Sequence, residues 1–374
     1  MDKQTNPIAI ESLALPGVRG LRPYEPGKPV EELERELGLT DIIKLASNEN
    51  PLGAGQRAIL AIEKELVDLA RYPDGNGFTL KKMLAERHSL SIDEVTLGNG
   101  SNDILELITR AFVAPDNEVV FSQHAFAVYP IVTQAVGAKA VIVSAKNYGN
   151  DLDAILAAVT DKTRVIFVAN PNNPTGSCVG GVDLKAFIEK VPSHVLTVID
   201  EAYFEYAQDL FPGYISAENW LADNPNLVVT RTFSKAYGLA ALRIGYSLSS
   251  PQVADFLNRV RQPFNVNTLA MAAACAALTD EEHLANSLSM NRSGLQQYEQ
   301  ACEELGLDFI PTAANFISIN VKRAGRDVFD EMLKKGVIVR PVDNYAMPDF
   351  IRVTIGTESE NLHCIEVLRE VLQG

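Results

Sequence analysis

Apolar positions along this chain fall into two alternating rhythms. Short runs rich in β-branched residues recur as EVTL (94–97), EVVF (118–121), AVIVS (140–144), RVIFVA (164–169), VLTVI (195–199) and LVVT (227–230). Continuous runs of that length, bounded by polar turn residues, read as strands buried on both faces. Between several of them lie patterns of helical period, such as SNDILELITRAF (101–112) and LDAILAAV (152–159). Strand and helix in alternation predict an α/β fold whose central sheet is mostly parallel and flanked by helices. LAMAAACAAL (269–278) is too short and alanine-rich to span a bilayer and reads as a buried helix.

The rhythm changes after about Arg259. HLANSLSMNRSGLQQYEQACEELG (283–306) is one long amphipathic stretch, followed by NFISINV, DVFDEMLKKGVIVRP, FIRVTIG and a final helical pattern, ESENLHCIEVLREVLQ. These predict a smaller α+β unit. The expected organisation is a Pro/Gly-rich arm and helix over residues 1–45, a large domain over 46–265, and a small C-terminal domain over 266–374. The arm is expected to contribute to the small domain and to a dimer contact.

Composition narrows the function classes. The 374 residues are 47% hydrophobic and 22% charged, enough apolar material for a sizeable core. A net charge of −15 argues against non-specific binding to nucleic acid or an anionic membrane. The four cysteines are scattered and form no C-x-x-C pair, and no basic start followed by an apolar run marks a secretory signal, so a reduced, cytoplasmic setting is expected. The five histidines show no i,i+4 pair, and no metal site is expected.

In open α/β sheets, ligands bind beyond the carboxyl ends of the strands. Here those ends lead into GNGSND (98–103), ANPNNPTG (169–176), DEAYFEY (200–206) and RTFSKAYGLAALRIGY (231–246). Gly98 and Gly100 precede a helix start whose free N–H groups suit a phosphate, although Ser101 also reads as an ordinary helix cap. Asp200 ends an apolar strand, where a carboxylate either caps a turn or balances a buried positive group. Lys235 has hydroxyl and apolar neighbours and no salt-bridge face; a desolvated lysine of this kind is nucleophilic toward carbonyls. Thr232, Ser234 and Arg243 could clamp a phosphate. Together this inventory suits a phosphorylated aromatic heterocycle that bonds to an amine.

NPNNPTG, VIDEAYFEY and TRTFSKAYGLAALRIGY, in that order and spacing, resemble the fold type I pyridoxal-phosphate aminotransferases. RPYEPGKP, KLASNENPLG, RYPDG, GNGSNDILELI, GVIVRP and FIRVTIGT narrow the resemblance to the histidinol-phosphate aminotransferases, over nearly the whole chain. The resemblance implies pyridoxal 5′-phosphate bonded to Lys235, with Asp200 opposite the ring nitrogen and Asn173 and Tyr203 on the ring's phenolic oxygen. It implies Gly100, Ser101, Asn102, Ser234 and Arg243 around the cofactor phosphate, and Phe126 stacked on the ring where the family commonly has tyrosine. It implies that Tyr72 reaches the neighbouring subunit's cofactor in a homodimer. On the substrate side it points to Tyr24, Asn48, Arg340 and Arg352.

The expected reaction is L-histidinol phosphate plus 2-oxoglutarate giving imidazole acetol phosphate and L-glutamate, by a ping-pong route in histidine biosynthesis. An aromatic amino acid aminotransferase would use the same machinery with a different side-chain pocket. A same-fold lyase resembling threonine-phosphate decarboxylase also binds phosphate esters. A non-catalytic regulator fits worst, because no DNA-binding segment accompanies the acidic chain.

Overall fold

The computed structural model of the chain describes residues 10–23, 27, 30–39 and 41–373. Its centre is a seven-stranded sheet built from β2 (Val95–Gly98), β3 (Glu118–Ser122), β4 (Lys139–Val143), β5 (Thr163–Ala169), β6 (Leu196–Asp200), β7 (Leu227–Thr232) and β8 (Gly245–Ser249). The strand order is β2-β8-β7-β6-β5-β3-β4, and every pairing is parallel except the two made by β8.

The inner strands read as unbroken apolar runs because both faces are covered; the edge strand β4, expected to be buried, is instead largely exposed. Val119, Phe121, Val165, Phe167, Val198 and Val228 share one core with α6 (Ser101–Phe112), α7 (Val128–Ala135) and α11 (Pro251–Val260). Their sequence neighbours Val120, Ile166, Val168, Ile199 and Val229 point the other way. They pack with α4 (Gln56–Glu65), α5 (Phe78–His88), α8 (Leu152–Ala157), α9 (Gly181–Ile188) and α12 (Thr268–Ala277). The period-2 alternation of a strand does this partitioning. Helix α12 is the alanine-rich stretch. It lies in the core of the large sheet, although it falls inside the span 266–374 that the sequence assigns to the small unit. Its alanines let it approach α4 and α5 closely.

A four-stranded antiparallel sheet, in the order β12-β13-β10-β9, forms the second layer system. Its strands are β9 (Asp308–Ile310), β10 (Phe316–Asn320), β12 (Arg340–Pro341) and β13 (Phe350–Thr354), packed on α13 (Glu281–Leu305), α14 (Gly325–Lys334) and α15 (Glu358–Gln373). Two-residue strands β1 (Ile43–Lys44) and β11 (Val337–Ile338) pair in parallel, tying the N-terminal segment to this unit. That segment carries α1 (Ile10–Leu13), α2 (Pro16–Arg19) and α3 (Val30–Leu37); Leu33 of α3 and Ala46 pack with Leu333 and Ile338. Helix α10 (Phe204–Leu210) follows the end of β6.

The two units meet over the carboxyl ends of the parallel strands. Ser318 Oγ on β10 donates to the Pro174 carbonyl at 2.6 Å, and the Ala313 N–H donates to the Gly176 carbonyl at 2.9 Å. The ligand edge of the large sheet therefore faces the concave side of the small one.

Candidate active site

A cavity of about 560 Å³ opens at this junction. Its walls include Asn48, Ser101, Asn102, Phe126, Asn173, Asp200, Tyr203, Ser234, Lys235, Arg243, Arg340 and Arg352. Twelve residues chosen from sequence thus converge on one space from eight separate stretches of chain. Gly100 lies directly before Ser101 and behind Arg243. Tyr72 does not reach this cavity; it is exposed and stacks on Phe264 at a centroid distance of 4.7 Å. Tyr24 lies outside the described residues.

The amide-rich turn divides its labour. Asn170 accepts from the Val179 N–H at 2.7 Å and donates to the Val179 carbonyl at 3.1 Å. Asn172 donates to the His124 carbonyl at 2.9 Å and to Thr175 Oγ1 at 2.8 Å. Those two pin the loop and leave Asn173 to project into the cavity. There its amide donates to Tyr203 Oη at 3.2 Å, while its oxygen accepts from Arg352 Nη1 at 2.6 Å.

Asn48 is fully buried, with a left-handed backbone (φ 55°), and donates to Tyr203 Oη at 2.8 Å. Its N–H and side-chain oxygen are both tied to Thr354 Oγ1, at 2.9 and 3.2 Å. It therefore orients the phenol as well as lining the cavity.

Lys235 reaches the floor of the cavity, where Nζ donates to the Ser47 carbonyl at 3.1 Å. Burial, reinforced by Arg352 and Arg243, pulls its pKa down to about 7. A substantial share of the amine is then uncharged near neutrality, the state that attacks a carbonyl carbon. The segment is not one continuous helix: a single 3₁₀ turn, Ala240–Leu242, precedes Arg243, whose own φ is 56°. That turn swings the guanidinium back until Nη1 lies 3.4 Å from Ser234 Oγ.

The helix α6 start is built to receive an anion. Ser101 is its first helical residue and does not cap it; the capping position belongs to Gly100, at φ 85°, and no side chain closes the end. The N–H groups of the first turn are thus left for a ligand. The φ of 85° at position 100 favours glycine, and a Cβ there would also crowd Arg243 Nη2 at 2.5 Å. The ordinary-cap alternative fails on this geometry.

Asp200 is 4% exposed, and burial pushes its pKa up against the pull of the Tyr129 and Thr230 hydroxyls. Tyr129 Oη donates to Oδ2 at 2.9 Å and Thr230 Oγ1 to Oδ1 at 3.0 Å. Among the described residues, no cationic side chain reaches this carboxylate within ion-pair distance. Tyr129 and Thr230 escape a reading by motif because each sits inside an apolar element. Strand alternation carried a signal for Thr230, which pairs directly with Asp200 across β6 and β7.

On the small-unit side, Arg340 and Arg352 are directly opposed across β12 and β13. Like charges in that relation repel, so the arrangement favours a bound anion between or above them. Arg352 Nη2 is also anchored on the Ala46 carbonyl at 2.7 Å.

The residues present fit a flat, phosphorylated, positively charged ring. There is an anion for its nitrogen, a helix start with Ser234 and Arg243 for its phosphate, donors at Asn173 and Tyr203, the Phe126 face, and a poised amine. The chain belongs to the class I and II aminotransferases, whose family profile matches residues 40–368. It is 60% identical over 365 residues to histidinol-phosphate aminotransferase 2 of Pseudomonas fluorescens Pf-5, covering 96% of this chain and 98% of that one. Identity to histidinol-phosphate aminotransferase 2 of Pseudomonas aeruginosa is 57% over 364 residues, with the same coverage. The histidinol-phosphate aminotransferase of Sinorhizobium meliloti, solved in complex with pyridoxal-5′-phosphate, superposes with a TM-score of 0.87 at 28% identity, covering 96% of this chain and 97% of that one. Within the class, the chain is thus a member of the histidinol-phosphate aminotransferase family.

Proposed function

We propose that the chain transfers the amino group of L-histidinol phosphate to 2-oxoglutarate with pyridoxal 5′-phosphate as cofactor, a step of histidine biosynthesis. The observation that carries this reading is the opposed pair Arg340 and Arg352 at the lip of the cavity whose floor holds Lys235 and Asp200. A guanidinium fork accepts a phosphate ester or a carboxylate equally well. One site can therefore take histidinol phosphate in one half-reaction and glutamate or 2-oxoglutarate in the other.

When bound, the cofactor supplies an aldehyde that takes up the amino group and a ring that accepts electrons as the α-proton leaves. The rest is the work of this chain's side chains. Asp200 would stand opposite the ring nitrogen and keep it charged. Asn173 and Tyr203 would hold the phenolic oxygen, with Asn48 fixing the Tyr203 hydroxyl. The start of α6 with Ser101 and Asn102, together with Ser234 and Arg243, would hold the phosphate, and Phe126 would lie against the ring face. Lys235 Nζ, whose pKa is pulled down toward neutrality by burial, is the base placed to carry a proton between carbons.

A homodimer in the cytoplasm completes the proposal. Leu66, Val67, Leu69, Tyr72 and Phe264 are exposed together, a surface suited to a second copy, with Tyr72 directed to the partner's cofactor phosphate. No helix among the described residues is long and apolar enough to cross a membrane, and all four cysteines are free.

The test is half-reaction spectroscopy with histidinol phosphate, phenylalanine and glutamate as amino donors. Rapid bleaching of the visible band by histidinol phosphate and by glutamate is expected. Bleaching by phenylalanine with none by histidinol phosphate would reassign the substrate to aromatic amino acids, and release of carbon dioxide would mark a lyase. Lys235→Ala should abolish both turnover and the visible band; normal turnover in that variant would end the proposal.

A further inference from the structure

The hydroxyl pair behind Asp200 has no role in the reading so far. Tyr129 is 1% exposed and its ring is locked on two sides: it stacks on Phe167 at 4.7 Å and meets Phe126 edge-on at 6.0 Å. Among the described residues its hydroxyl has a single hydrogen-bond partner, Asp200 Oδ2. Thr230 is fully buried on the adjacent strand and gives its hydroxyl to the other oxygen, Oδ1. Two donors from two elements, α7 and β7, thus fix the rotation of one carboxylate and occupy one lone pair on each oxygen. Asp200 itself lines the cavity.

We propose that Tyr129 and Thr230 are positioning residues that hold Asp200 as an oriented anion ready for a positively charged ring nitrogen. This rests on the cofactor reading above. The physical need is plain. An ionised carboxylate leaving water must be compensated, and among the described residues no basic side chain does so. Hydroxyl donors stabilise the charged form without neutralising it, so the net negative charge stays available to a ligand. An arginine in their place would satisfy Asp200 permanently and remove its reason to attract a cation. Tyrosine serves as a dependable donor here because burial and the adjacent carboxylate push its own pKa far up, keeping the proton on oxygen. Without these donors the empty carboxylate would take up a proton, which binding of a charged ring must then displace.

Two compounds separate this role from mere packing: pyridoxal 5′-phosphate, and its carbocyclic analogue in which C–H replaces the ring nitrogen. Binding of each to the cofactor-stripped full-length chain is measured by equilibrium titration for wild type, Tyr129→Phe, Thr230→Val and Thr230→Ser. Tyr129→Phe and Thr230→Val are expected to weaken pyridoxal 5′-phosphate about ten-fold each, the scale of one hydrogen bond to a charged group. They should bind the analogue no more weakly than wild type does, and Thr230→Ser should behave as wild type with both. Equal weakening of the two compounds would reduce the pair to a packing role and overturn the proposal, as would unchanged affinity for both. If the wild-type chain bound neither compound, the cofactor reading itself would fall and the proposal with it.

Discussion

Asp200 and Glu201 are neighbours in sequence and opposites in situation. Strand alternation sends them to different faces at the end of β6, and both are buried. Glu201 is closed off: its Oε2 takes Arg231 Nη2 at 2.8 Å and Ser216 Oγ at 2.8 Å, and its Oε1 takes the Ala217 N–H at 2.8 Å. Arg231 is shared with Glu218 at 3.0 Å, and Glu218 in turn meets His88 at 2.8 Å. Among the described residues, Asp200 has the Tyr129 and Thr230 hydroxyls and the Ala202 backbone as its donors, and it opens on a cavity. A buried carboxylate with its own arginine is a finished structural element. One that is hydrogen-bonded but has no cation is prepared for a positive ligand. The same strand end thus joins a scaffold clamp on one face to a reactive site on the other.

Substitutions on the two faces should separate cleanly. Asp200→Ala is expected to leave the melting temperature near that of wild type while cutting the rate of transamination at least about a hundred-fold, in the range seen when a charge-stabilising group is lost. Wild-type activity in that variant would break the comparison at once. Glu201→Gln leaves Arg231 with Glu218 as its remaining carboxylate partner, so a stability loss of about 1–3 kcal/mol, the scale of a weakened buried hydrogen-bonded charge, is expected by denaturant titration. A loss of activity without loss of stability would show that Glu201 is no mere clamp. Replacing the clamp as a unit, Glu201→Leu with Arg231→Met, should recover part of that stability, because both buried charges go together and the part-exposed Glu218 keeps its contact with His88.

Smaller effects sharpen the site side. In the cofactor-free chain, capture of an aldehyde by Lys235 should slow as pH falls below about 7, where the amine becomes charged, and level off above it. A rate still climbing toward the ordinary lysine range near pH 10 would contradict the depressed pKa. Phe126→Tyr should alter turnover by less than about five-fold, since the stacking face is retained and only one neutral hydrogen bond of ~1 kcal/mol is added.

Six of the strands in the large sheet were legible as apolar runs; both faces of five are covered, whereas the edge strand β4 is largely exposed, against the expectation of burial on both faces. Strand β8 was not, because GYSLS puts Ser247 and Ser249 into fully buried positions where apolar residues were expected. Helices α6 and α11 pack against β8, which is a tertiary effect no local pattern records. The site was legible wherever chemistry ends a strand: Asp200, Asn173 and Lys235 follow apolar runs at once. Ser101 misled as a cap because a glycine at positive φ takes that position and frees the helix start. Tyr129 and Thr230 stayed hidden because an aromatic in a helix or a threonine in a strand reads as core, and only pairing reveals their partner. Residue 72 could be read as functional from its motif, but its place beside Phe264, away from this chain's own cavity, needed the fold.

The central claim is that Asp200 keeps a bound ring nitrogen charged. The direct measurement is the ¹⁵N chemical shift of ring-labelled pyridoxal 5′-phosphate on the full-length enzyme, compared with Asp200→Ala at neutral to mildly alkaline pH. A protonated nitrogen in the wild type that loses its proton in the variant is the predicted result; an unprotonated nitrogen in the wild type would contradict the account.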